Sequence, residues 1–395
     1  MALRNLFFAG LATSASAVQI LTSAFGNDTV NGSISTFDLT LGVGAASLKP
    51  LNAFDKAGAQ PTWLDTSLGG GKVVVIDEAW ATNASLSTIA RQTDGSFKLT
   101  NMIGILGSPV AVQFYNNKKA LAVAHYGTGA VTTYSLGANG AFTPLEQFKY
   151  SNATHGPKPQ QADGSHVHHA VIDPTGQYLV FPDLGLDATH VFCIDSKTNK
   201  LTPHPDIIAP AGSGPRHAAF QKSGKNTFLY IIHELDSHIR SYKVTYTDKG
   251  PQFALVDDVS AFGPESRNTT GSAAAEIIIS PDNQFVIGSN RLLPIFTVPN
   301  PDPTNSTQIQ SDSIVTYKTG ADGKLTFVQL APSGGLNPRH FGLNKDGSLI
   351  GIGNGGSVPP SLDIYKRDVK SGKIGEKVAS SIATGGGINN VRFLE

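Results

Sequence analysis

The sequence predicts an all-β chain, a seven-bladed β-propeller whose first and last strands share one blade. Three observations carry that prediction. A short apolar run, a polar turn and a second apolar run recur along the 395 residues, with opening runs at Pro61, Pro109, Val167, Pro215, Ala274, Pro338 and Asn389, 48 to 64 residues apart. That is the spacing of propeller blades. The composition, 42 Gly and 23 Pro with only 15% charged residues, suits many short strands joined by tight turns. The last opening run, 389–394, has nothing after it to pair with, while strand-like runs without an opening partner stand at 19–24, 34–37 and 47–49. Joining these pieces into one blade leaves no free sheet edge.

Taken in order, residues 1–17 read as a secretory leader. Arg4 gives the positive start, 6–12 the apolar stretch and Ala15-Ser16-Ala17 the small-residue cleavage site. The stretch is too short to span a bilayer. A single domain then occupies 18–395. Six Asn-x-Ser/Thr sequons, at Asn27, Asn31, Asn83, Asn152, Asn268 and Asn305, fit a glycosylated, extracellular protein. The lone Cys193 excludes an internal disulfide. A formal net charge of zero, without a long basic run, argues against nucleic acid or an anionic membrane as partner.

Within each repeat, turns such as Asp173-Pro174-Thr175-Gly176 and Asn344-Lys345-Asp346-Gly347 place Gly where a hairpin needs positive φ. A buried second strand follows, for example Phe228-Leu229-Tyr230-Ile231. The third strand carries apolar residues at i and i+3: Leu86/Ile89, Val131/Tyr134, Ile239/Tyr242, Ile314/Tyr317 and Leu362/Tyr365, with Thr189/Phe192 less apolar. A fourth strand closes the unit.

The tripeptide Pro-Arg-His occurs twice, at Pro215-Arg216-His217 and Pro338-Arg339-His340. Antiparallel neighbours bring strand-one starts and strand-two ends to one face of the disc. His166, His168, Arg216, His217, Glu276, Arg339 and His340 fall at the former. Asp77, Glu78, His125, Asp183, Glu234 and Arg291 fall at the latter. Strand one is innermost, so these groups meet at the channel mouth, where an arginine cluster suits a small carboxylate- or phosphate-bearing substrate. The insertion 292–312 and the stretch 151–165 rim the same face. His166 and His168, two apart on a strand, could face one ion, but no Asp/Glu set completes a coordination sphere and the arginines repel a cation. No metal and no cofactor is expected; Gly69-Gly70-Gly71-Lys72 leads into a strand and lacks the helix of a phosphate loop. His169, on the opposite side of its strand, is expected to pack inside the blade.

These residues resemble the seven-bladed lactonase propellers, a family that includes fungal carboxy-cis,cis-muconate cyclases and bacterial 6-phosphogluconolactonase-like proteins. The resemblance rests on residues 167–174, Asp183-Leu184-Gly185, Gly214-Pro215-Arg216-His217, Leu229-Tyr230 through Glu234, Ser280-Pro281-Asp282 through Ser289-Asn290-Arg291, and 337–341. It implies a catalytic set of His168, Arg216, Glu234 and Arg291; strand phase adds Arg339, His166, His217, His340 and Glu276 as substrate-binding residues beside it. The resemblance also implies a metal-independent enzyme that opens or forms a lactone, by hydrolysis or by intramolecular cyclisation. The leader departs from the intracellular setting of both branches. A secreted propeller that binds without turnover, and a calcium-dependent lactonase of another propeller family, stay open at this point.

Overall fold

Each repeat becomes a four-stranded antiparallel sheet, and seven such sheets are present. Their innermost strands are Pro61–Asp65, Pro109–Tyr115, Val171–Ile172, Pro215–Ser223, Ala273–Ile279, Pro338–Leu343 and Ile388–Leu394. The computed structural model describes residues 16–395 apart from 27–30, 43–45, 81–83, 139, 151–153, 301, 303 and 384–385. Most of the expected leader, 1–15, and the sequons at Asn27, Asn83 and Asn152 therefore lie outside the described residues. Ser16–Ala24 pairs on one side with Ser33–Leu41 and on the other with Ile388–Leu394, which closes the ring as the orphaned last run required.

The i, i+3 pairs of the third strands explain how the blades stack. Side chains alternate faces along a strand, so residues three apart point to opposite faces. Ile239 packs in one inter-blade core and Tyr242 in the next, and Ile314 and Tyr317 divide in the same way. Leu86 and Ile89, and Leu362 and Tyr365, are divided likewise, whereas Thr189 puts a polar residue on one face of its strand.

One regularity was absent from the expected picture. In every blade the first strand carries one extra residue against the second. Pro215 pairs with His233 but His217 with Ile232; Pro338 pairs with Asn354 but His340 with Gly353. The same slip follows Pro61, Pro109 and Ala274, and falls between Ser23 and Ala24 where the closing strand pairs. In the third blade a single bridge, Val167 to Asp183, precedes a ladder that resumes only at Val171 opposite Val180. The run 167–170 is therefore irregular backbone and not the regular strand that its apolar residues suggested.

Below that irregular segment, Asp183 holds the turn together. Its Oδ1 accepts from the backbone N–H of His166, Gly185 and Leu186, while Oδ2 meets Ser165 and His190. His190 also contacts Asp206 at 2.8 Å. Burial pulls its pKa down, but Asp183 and Asp206 outweigh burial and push it up to about 9. The unfolded chain's histidine titrates near 6.5. The stabilisation is complete below about pH 6.5 and disappears as pH rises through about 9. His190→Gln is expected to flatten that decline, removing about 1–3 kcal/mol of pH-dependent stability once the partly exposed Asp206 is allowed for. Urea midpoints of both proteins measured from pH 6 to 10 check this; parallel curves would contradict it.

Candidate functional site

The recurrent bulge builds the site. In an uninterrupted strand, consecutive residues face opposite ways, but a bulge turns two successive side chains toward the same side. Arg216 and Arg339 are the extra residues of their strands, and His217 and His340 follow them. His168 and His169 occupy the corresponding irregular stretch. Two tiers result. His168, Arg216 and Arg339 line a cavity at the mouth of the channel. Beneath them His169, His217, Glu276 and His340 pack with Trp63, whose ring lies 5.3 to 5.9 Å from those of His169, His217 and His340.

Carboxylates fix the backbone that enters each of these runs. Asp77 accepts from the N–H of Gln60, Asp187 from that of Gly214, and Asp312 from that of Asn337, each at 2.7 to 2.8 Å. Those three residues immediately precede Pro61, Pro215 and Pro338. Gly214 has φ of 62°, and a Cβ there would come within 2.5 Å of Leu235, so glycine is required at that entry. The approach to Arg216 is thereby held from both sides. The end of strand two supplies the rest: Glu78, Tyr126 and Glu234 each follow the last residue of theirs, and Arg291 is the last of its own.

The cavity encloses about 170 Å³. Its floor and walls are Glu78, Tyr126, His168, Arg216, Glu234 and Arg291, with Arg339, Trp80 and Gln160 at the rim. Oε2 of Glu234 lies 2.8 Å from both Nε of Arg216 and Nη2 of Arg291. Neither N–H is aligned on that oxygen, which leaves two buried guanidinium groups drawn to the carboxylate by charge and still able to bond a further acceptor. Gln160 donates to Oε1 of Glu234 at 3.0 Å and to the Tyr126 hydroxyl at 3.1 Å. Arg216 is anchored by its bond to the Ala275 carbonyl. Arg339 is the loosest of the three, 3.7 Å from Glu78 and with 23% of its side chain exposed. Three cations face two carboxylates, so the site carries a positive excess suited to an anion.

Protonation states follow from these surroundings. Burial drives the His168 pKa well below its usual value, and Arg216, His217 and Arg339 push it further, so the imidazole is neutral. Burial alone would raise the Glu234 pKa, but Arg291 and Arg216 together with Gln160 overcome it and the group is an ionised carboxylate. Arg216, lowered to about 9 chiefly by burial and Arg291, keeps its charge at neutral pH. The site therefore holds one neutral imidazole among fixed charges.

Of the residues taken in the sequence as catalytic or substrate-binding, His168, Arg216, Glu234, Arg291 and Arg339 come together around the cavity, with Glu78 beside them. Four do not line it. His166 stacks on Tyr126 at 4.3 Å and spends both ring nitrogens on the Tyr126 carbonyl and Asp163, which turns it away from any ligand. His217, Glu276 and His340 sit in the lower tier because each stands one residue beyond the bulge. His169 is placed differently from expectation too. It stacks on His217 at 4.2 Å in the channel and accepts from the Ala218 N–H instead of packing in its blade. His166 and His168 meet different parts of the Tyr126 ring, one flat and one edge-on. Among the described residues no group of three His, Cys, Asp or Glu is arranged to hold a metal. Tyr126, Trp80 and Gln160 were missed. Tyr126 had a signal, since it follows His125 as Glu234 follows His233.

Comparison with known proteins agrees with this architecture. The family model described as "Lactonase, 7-bladed beta-propeller" matches residues 22–391. The 6-phosphogluconolactonase of Yersinia pestis (strain Pestoides F) is 30% identical over 287 residues, covering 71% of this chain and 73% of that one. That of Formosa agariphila is 27% identical over 297 residues, 74% and 76% of the two chains. The solved structure of the periplasmic gluconolactonase of Pseudomonas aeruginosa superposes with a TM-score of 0.77 over 96% of this chain and 99% of that one, at 21% identity, a likeness of fold.

Proposed function

The chain belongs to the seven-bladed β-propeller lactonases, and on that premise we propose that it hydrolyses the ring ester of a small anionic sugar lactone at the channel mouth, without a metal. One observation carries the reading: a neutral, buried His168 stands in a cavity whose charged lining is three arginines and two carboxylates. A neutral imidazole takes a proton from water. The water oxygen then adds to the lactone carbonyl carbon, and negative charge develops on the carbonyl oxygen. Arg216 and Arg291, already poised over Glu234, stabilise that oxyanion. Collapse breaks the bond to the ring oxygen, and the imidazolium of His168 returns its proton to the departing alkoxide. One water is consumed and a hydroxy acid is released. Arg339, at the rim, holds the remote anionic group of the substrate.

Glu234 orients the two guanidinium groups and is not the proton donor, since it is ionised. That weighs against cyclisation of a muconate, which calls for an acid to protonate carbon. The named relatives suggest 6-phosphoglucono-lactone as the first compound to try. Consumption of phosphorylated and unphosphorylated gluconolactone and of 3-carboxymuconate, each against the buffer rate, tests the reading. Hydrolysis of the sugar lactones, faster for the anionic one, is expected; turnover of 3-carboxymuconate alone, or of nothing, overturns it.

Export is part of the proposal. The sequons at Asn31, Asn268 and Asn305 are all exposed, as glycan acceptors must be. Among the described residues no helix is long and apolar enough to cross a membrane.

A further inference from the structure

The lower tier offers the cavity no surface, yet it is built from titratable groups in contact with one another. Its hydrogen bonds can be given directions. The backbone N–H of Val391 can only donate, so Nδ1 of His340 accepts at 3.3 Å and the proton of that ring sits on Nε2, 3.2 Å from Oε2 of Glu276 though not aligned on it. The other oxygen of Glu276 accepts from the Ile277 N–H at 2.9 Å and lies 3.0 Å from Nδ1 of His217. With that oxygen acting as the acceptor of both contacts, His217 carries its proton on Nδ1 and offers a lone pair at Nε2. That lone pair lies 3.2 Å from Nδ1 of His168. His168 must therefore donate from Nδ1, and its Nε2 is left unprotonated.

We propose that His217 and Glu276, with His340 behind them, are positioning residues that fix His168 in the tautomer whose Nε2 is a bare base, and that Glu276 strengthens that base through the chain of imidazoles. This rests on the hydrolytic reading for its kinetic consequence, but not for the tautomer itself. The logic is that of the carboxylate behind a catalytic histidine, which sets the tautomer and steadies the imidazolium that forms. Here a second imidazole is interposed. The carboxylate sits one tier below the cavity, and its ion pairs are with His217 and His340. Stacking of His169 on His217 and the edge-on contacts of Trp63 with His217 and His340 keep the rings in line.

The groups facing the relay are known. His168 meets Arg216, Arg339, His217 and Tyr126; Glu276 meets His217 and His340, with Arg216, Arg392 and His169 acting on it through charge. Glu276 is the carboxylate in contact with His217 and His340, and when it is replaced Arg216, Arg339, Arg291 and Arg392 still act on these rings. Glu276→Gln is therefore expected to make His168 a weaker base. The expected result is a kcat lower by about 10–100-fold, the usual cost of losing an outer-shell partner, with KM retained and the acidic limb of the pH–rate profile moved to lower pH. A purely structural role for Glu276 would lower the melting temperature and leave that limb in place, and this outcome overturns the proposal. Nitrogen-15 spectra of the histidine-labelled wild-type protein give a readout independent of turnover. A protonated Nδ1 and a bare Nε2 at His168 are expected; a protonated Nε2 sinks the relay even if lactone is hydrolysed. Should no lactone be hydrolysed, the function falls and the spectrum still decides the relay.

Discussion

Replacing His168 by Asn is expected to lower kcat/KM by about 10²–10⁴, the contribution of a positioned general base, while the circular dichroism spectrum and a cooperative melt persist. The loss should fall on kcat. The arginines that hold the substrate's charge are untouched, so KM changes little. The fold survives because His168 sits in irregular backbone and not in the apolar cores between blades. Wild-type turnover in this variant would remove His168 from the chemistry.

Arg216→Met is the more drastic change, because it acts on stability and turnover together. Arg216 is 1% exposed and shares Glu234 with Arg291. Its loss leaves a buried carboxylate with half of its compensation, and breaking a buried pair in this way costs about 3–5 kcal/mol. The oxyanion also loses a donor, a further 10²–10³-fold in kcat. The double variant Arg216→Met/Glu234→Gln should recover part of the stability and none of the activity. Urea denaturation beside steady-state kinetics separates the two effects. An Arg216→Met protein as stable and active as the wild type would show that the guanidinium is dispensable.

The fold was legible in the sequence because it depends on periodicity. Seven apolar runs at a steady spacing announce seven blades, and the apolar pair on each third strand announces two faces to be covered. Glu78, His168, Arg216, Glu234, Arg291 and Arg339, six of the residues that line the cavity, were legible for the same reason, since phase places a strand-one start next to a strand-two end. What phase could not give is orientation. Whether His217 points beside Arg216 or away from it depends on a single unpaired residue in the hydrogen-bond ladder, and no side chain encodes that pairing directly. The placing of His166 failed on another ground: it lies before the bridge at Val167, where Asp163 and Tyr126 capture its ring. Gln160 was invisible because a loop residue obeys no period, and only the anchoring of its neighbour Gln161 to Leu184 and Asp187 brings it over the site.

The inserted residue in each innermost strand has a consequence for how such a protein can change its diet. Thr62, Val110, Ala275 and Asn389 occupy the same upper-tier position as Arg216 and Arg339. None of them spends its side chain on the ladder. All four are buried, Val110 within an apolar core and Asn389 with its amide on the Gly387 carbonyl, so a new ligand is met at this register position only where the neighbouring side chains give room, while the proton-handling layer underneath stays as it is.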